Sequence, residues 1–185
     1  KLDQVKVPKI VRGLDLTGGP YSLKLDKNIL NIAGKGAIEG QPVEFEYQEY
    51  LNPDSSPYTN KISAQLDLDQ NFRQKLGIDL SDFVRGNLAV DMDYTQVNDK
   101  DANLDFTANL KNADFFLSSL GYLKPQGEPG TAKGRVSISN DRIQTVTNLS
   151  VTTANGLQAN GDLNFGTVAG SWGVKFAKFS KIKFL

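Results

Sequence analysis

The chain has 185 residues, with 21 basic and 21 acidic side chains and neither histidine nor cysteine. The missing cysteine excludes a disulfide framework, a thiolate nucleophile and any Cys-based metal centre. The missing histidine removes the commonest general base, and a net charge of zero argues against nucleic acid as a partner.

Period-two alternation, the mark of a strand with one buried face, dominates the chain. Leu14 and Leu16 begin it, and Tyr21, Leu23 and Leu25 continue it after Gly18-Gly19-Pro20, which reads as a turn. A strand over 29–33 follows. Val43, Phe45 and Tyr47 then oppose Glu44, Glu46 and Gln48, and 52–57 (NPDSSP) reads as a loop. Ile62, Ala64, Leu66 and Leu68 form the next run.

The period then changes. Residues 69–76 (DQNFRQKL) predict a short helix, with Asp69 as N-cap, Gly77 at its end and Phe72 and Leu76 on one buried face. A second helical turn is expected over 80–84. Alternation resumes with Leu88, Val90, Met92 and Tyr94. After a turn at 98–101 it continues through Ala102, Leu104, Phe106, Ala108 and Leu110, so the two runs read as an antiparallel hairpin. Residues 115–123 are apolar without a clear period, and 125–130 (PQGEPG) form a loop. Val136/Ile138, Leu149/Val151 and Leu157/Ala159/Leu163/Phe165 are later strands. Trp172, Val174 and Phe176 open the last one, whose phase slips near 177–179.

The expected fold is therefore mainly β: a curved antiparallel meander sheet, a β-groove or open barrel-like taco, with one or two short helices. One β-rich domain over 1–185 is expected, with N-terminal strands over 1–57, a core over 58–168 and a final edge strand over 169–185. The start at Lys1 reads as that of a section of a longer protein.

Several stretches, in this order, carry a resemblance: AGKGAIEGQPV (33–43), KLGIDLSDFVRGNLAVDM (75–92), ANLDFTANLKNADF (102–115), LGYLKPQGEPGTAKG (120–134) and NGLQANGDLNF (155–165). Together they resemble the central region of the AsmA-like, YhdP-type bacterial envelope proteins, a domain of unknown function in older classifications. The resemblance implies a section of a periplasmic groove, in a parent protein anchored in the inner membrane. Such proteins are implicated in phospholipid transport between the inner and outer membranes, and so in outer membrane biogenesis. Phospholipid and the two membranes are then the partners, with no catalysis, cofactor or metal. The lipid-facing candidates are Val43, Phe45, Leu66, Val90, Met92, Leu104, Phe106, Val151, Leu163 and Phe165. Acyl chains need only an apolar wall, at about 0.8 kcal/mol per buried methylene. The alternative is a closed structural or protein-interaction module of the cell envelope, in which the same residues are its core.

Other patterns are better explained by structure. Gly34-Lys35-Gly36 has the glycines of a phosphate loop, but leads into a strand rather than a helix. Asp99, Asp101, Asn103 and Asp105 have calcium-loop spacing, but Leu104 and Leu110 stand where glycine and glutamate are required. The pairs Asp67/Asp69 and Asp91/Asp93 could serve glycoside hydrolysis only by converging in a cleft. The last stretch, WGVKFAKFSKIKFL, interleaves four lysines with apolar residues. It suits an edge strand protected from aggregation, or contact with an anionic membrane.

Overall fold

A computed structural model describes residues 4–11, 14–52, 56–76, 78, 80–168 and 170–184. Strands β1 (Val5–Val11), β2 (Leu14–Asp26), β3 (Ile29–Ile38), β4 (Gln41–Tyr50) and β5 (Asn60–Leu68) precede helix α1 (Gln70–Lys75). Strands β6 (Val84–Gly86), β7 (Leu88–Gln96), β8 (Asp101–Asn109), β9 (Ala113–Leu117) and β10 (Tyr122–Lys124) follow, with a 3-10 turn at Ser118–Leu120. Strands β11 (Gly130–Ser139), β12 (Arg142–Thr153), β13 (Leu157–Val168) and β14 (Ser171–Phe184) complete the chain.

Among the described residues, eleven of these strands form one antiparallel meander, ordered β1-β2-β3-β4-β5-β7-β8-β11-β12-β13-β14. The sheet does not close into a barrel: β1 and β14 are its two edges. The expected mainly-β meander is therefore present, with one α-helix, and the expected β7–β8 hairpin pairs Met92 with Phe106 and Val90 with Ala108.

One sequence reading is corrected. Gly18-Gly19-Pro20 does not turn the chain; it is a bulge inside β2, where the pairing with β3 shifts between Gly18 and Tyr21. The bulge lets the Tyr21 ring lie across β3. A Cβ built on Gly34 would stand 2.5 Å from Tyr21 Cδ1, and one on Gly36 2.7 Å from the Thr17 carbonyl. The two glycines of the loop-like GKG are thus required by close approach of Tyr21, which is 2% exposed. The expected helical turn over 80–84 is a single turn that does not continue: the Phe83 and Val84 amides both donate to the Leu80 carbonyl before β6 begins.

Helix α1 starts where the sequence places it: Asp69 Oδ1 accepts from the Phe72 amide at 2.7 Å. Phe72 is buried and Leu76 packs against the same cluster. Gly77 lies outside the described residues.

The chain leaves the meander twice, between β5 and β7 and between β8 and β11. Both departures are at the same end of the sheet, because Leu68 pairs with Leu88, and Asn109 pairs with both Ala89 and Thr131. The two excursions join each other: β6 from the first pairs with β9 from the second, giving a small sheet ordered β10-β9-β6. Phe72, Val84, Ala113 and Phe115 of this cap pack with Val90, Ala108, Val151 and Ala159 of the main sheet. Strands from β5 to β13 share this one core, so the sheet curls around the cap.

A buried cation holds each excursion. Arg73, 2% exposed, donates from Nη1 to the Leu68 carbonyl at 2.7 Å and the Gly86 carbonyl at 2.8 Å, closing the first excursion at its base. Lys124, 0% exposed, donates from Nζ to the carbonyls of Ala113, Pro125 and Glu128 at 2.8, 2.8 and 3.0 Å. Burial pulls both cations below their ordinary pKa values. We expect Arg73→Met and Lys124→Met each to cost about 3 kcal/mol, because buried carbonyls lose charge-assisted donors. Exposed Lys133→Met should stay within about 0.5 kcal/mol. Urea denaturation of the three variants checks this.

Candidate functional site

Residues paired directly across strands share a face, so the registers define what each face presents. One row crosses the whole meander: Val5, Gly18, Gly36, Val43, Leu66, Val90, Ala108, Ala132, Val151, Ala159 and Ile182. A second runs Tyr21, Gly34, Phe45, Ala64, Met92, Phe106, Gly134. A third runs Leu23, Ile32, Tyr47, Ile62, Tyr94, Leu104, Val136, Val146, Leu163, Ala177. No charged residue interrupts any of the three.

The opposite face is polar. One of its rows is Lys35, Glu44, Gln65, Asp91, Thr107, Lys133, Ser150, Asn160, Lys181. Ion pairs tie neighbouring strands there, Lys35–Glu44 at 2.9 Å and Arg135–Asp105 at 2.7 Å. Asp91 and Asp93 are exposed on this face, and Ser63 Oγ donates to Asp93, while Asp69 caps α1. The acidic pairs therefore form no catalytic cleft. Of the calcium-like spacing, Asp101 bonds into its own turn through Asn98 and Asp105 holds Arg135. Among the described residues no cluster of three or more acidic side chains could hold a metal ion.

The apolar face divides into an end covered by the cap and a partly exposed middle, in which Val136 and Val146 are buried. Val90 and Val151 are 8% and 6% exposed beneath the cap, and Val43, 6% exposed, belongs to a second cluster with Leu16, Tyr21 and Ala64. Leu66, Met92 and Phe106 are partly exposed and border the cap core, and Phe45 borders the second cluster. Leu104, Leu163 and Phe165 are partly exposed and lie in neither core. Of the ten candidates, three are therefore core residues and seven present apolar surface.

Sequence reasoning passed over Tyr47 and Tyr94, which flank Ile62 in the third row. Burial pushes the Tyr47 hydroxyl up to about 12, helped by the Glu49 carboxylate, and burial also raises Tyr94. The alternation already placed both on the apolar face, with Val43 and Leu88, but their hydroxyls left them out of the lipid-facing candidates. Beyond this row the wall turns polar on β4, β5 and β7, where Glu49 pairs with Asn60, Asn60 with Gln96, and the Tyr94 hydroxyl donates to Gln96, while Leu30 and Ala102 continue it on either side. This rim faces the end opposite the cap.

Two surface pockets lie elsewhere. One of about 410 Å³ is on the cap, lined by Ser81, Asp82, Phe83, Arg85 and 116–118. One of about 280 Å³ is on β12–β14, beside Asn148, Asp162 and Ser180. Compared with known proteins, the chain matches no family model, no curated protein and no solved structure.

Because Tyr47 is neutral when protonated and its native pKa is raised, the native state holds its proton longer than the unfolded state. Stability should therefore fall as pH rises from the ordinary tyrosine value towards about 12. Tyr47→Phe should flatten that fall. Spectrophotometric tyrosine titration with chemical denaturation at each pH measures both.

Proposed function

We propose that this chain is a non-enzymatic section of a periplasmic groove that conducts phospholipid between the inner and outer membranes. The observation that carries the reading is the third row, an apolar stripe ten strands wide in which Tyr47, Ile62, Tyr94, Leu104 and Leu163 stay partly exposed, while Val136 and Val146 between the last two are buried. An acyl chain laid along Tyr47, Ile62, Leu104 and Leu163 removes both itself and the wall from water, at about 25 cal/mol per Å². It needs no directed bond, so it can slide. The polar rim at Glu49, Asn60 and Gln96 suits a headgroup that stays hydrated. The cap closes the other end, so acyl chains enter from the rim or sideways. The ordered resemblance to AsmA-like envelope proteins agrees with this reading. A closed, dry envelope module is less well supported, since the described strands have no closing seam.

Photoreactive residues placed at 104 or 163 should crosslink to phospholipid in the folded protein, and one placed at 133 on the polar face should not. Equal labelling at all three positions, or none at 104 and 163 with lipid present, overturns the reading. Leu104→Gln with Leu163→Gln should cut lipid retention severalfold while costing less than about 3 kcal/mol. Val90→Asp, which buries a charge beneath the cap, should instead prevent folding, as circular dichroism would report.

A further inference from the structure

Strand β14 bears a charge pattern found nowhere else in the chain. Residues 171–185 hold four lysines and no acidic residue, so the remaining 170 residues carry a net charge of −4. None of Lys175, Lys178, Lys181 and Lys183 is in an ion pair among the described residues. The same strand exposes Trp172, Phe176, Phe179, Ile182 and Phe184 by 39–57%.

The registers sort these side chains. Phe184, Ile182, Phe179 and Val174 pair with Leu157, Ala159, Gly161 and Phe165, so they extend the apolar wall. Lys183, Lys181 and Lys178 pair with Gln158, Asn160 and Asp162 on the polar face. The pairing skips Ser180 and Lys175, and these two bulges correct the phase slip seen in the sequence. Beyond β14 the sheet has no further strand among the described residues, so both sets of side chains lie along its outermost described strand.

We propose that β14 is a docking edge for an anionic lipid bilayer, which holds the open side of the apolar wall against the headgroup region. Phe179, Ile182 and Phe184 dip to the acyl boundary, and the lysines on the other face reach lipid phosphates. The backbone edge stays at the hydrated interface, because unpaired amides and carbonyls are not tolerated in hydrocarbon. A single-stranded nucleic acid needs cations and several stacking rings on one surface, whereas the registers put Phe179 and Phe184 on the face opposite Lys178, Lys181 and Lys183 and leave Phe176, paired with Asn164, as the one ring beside them. The proposal deepens the reading of the inner wall as an acyl-chain path, since a docked edge lets a chain pass from leaflet to wall without crossing water.

Flotation of the 185-residue protein with vesicles tests it. The protein should bind phosphatidylcholine vesicles that contain phosphatidylglycerol, bind pure phosphatidylcholine weakly, and release as salt rises. Replacing all four β14 lysines (Lys175→Gln, Lys178→Gln, Lys181→Gln, Lys183→Gln) should weaken partition by at least about 100-fold, at roughly fivefold per lysine near the surface. Replacing four lysines elsewhere (Lys24→Gln, Lys61→Gln, Lys100→Gln, Lys133→Gln) makes the same change in net charge and should leave binding within severalfold of the parent. Phe179→Ser with Phe184→Ser should weaken it with every lysine kept. Thermal melts confirm that each variant is folded. Absence of binding to phosphatidylglycerol, equal losses in the two lysine sets, or preference for single-stranded DNA overturns the proposal. Labelling at 104 and 163 uses monomeric lipid without vesicles, so if it persists when vesicle binding fails, the docking edge falls and the acyl path stands.

Discussion

A wide sheet with one apolar face and no closing seam must cover that face or leave it in water, and this constraint organises the molecule. The cap covers one end only. It is built from two short excursions, neither of which has a core of its own, and β6 and β9 supply each other's strand partners. Arg73 and Lys124 then satisfy backbone carbonyls that packing has removed from solvent. The cap buries Val90, Ala108, Val151 and Ala159, and that burial sets the curl of the sheet. What it does not reach, the row through Leu104 and Leu163, is the surface to which function is assigned.

The polar face plays the complementary part. Its charges alternate in sign from strand to strand at Lys35–Glu44 and Asp105–Arg135, which favours the native register over a one-residue slip. Such exposed pairs contribute little stability, at most about 1 kcal/mol each. Their value is specificity. A slip would turn Phe45, Met92 and Phe106 outward and bring Glu46, Asp93 and Asp105 inward.

The meander was legible in the sequence because period-two alternation survives in nearly every strand, and β7–β8 pair in the expected phase. Asp69 was legible as a cap because its chemistry is local. The cap was not, because β6, β9 and β10 are three to five residues long, too short to show a period, and β6–β9 pairing is non-local. Lys124 sits beside a Pro- and Gly-rich loop and gives no sign that it is the most buried cation. Gly34 and Gly36 looked like a ligand loop because the residue that needs them, Tyr21, lies on another strand. Within the site, the ten candidates were found by alternation alone, which reports face but not depth. It could not separate Val90 and Val151 beneath the cap from Leu104 and Leu163 beyond it.

The same limit applies to charge. A zero sum over 185 residues discards position, and here position matters: the body is acidic by four and one edge strand is basic by four. Lysines on an edge normally keep other strands away. Lysines on one face, with Phe179, Ile182 and Phe184 exposed on the other, do that and also favour an anionic, apolar-cored surface, because a bilayer offers phosphate and hydrocarbon within a few ångströms of each other. Both effects come from the same side chains. An edge that repels stray strands is therefore compatible with one that meets a membrane, and the two bulges in β14 keep each side chain on the face where it can do either.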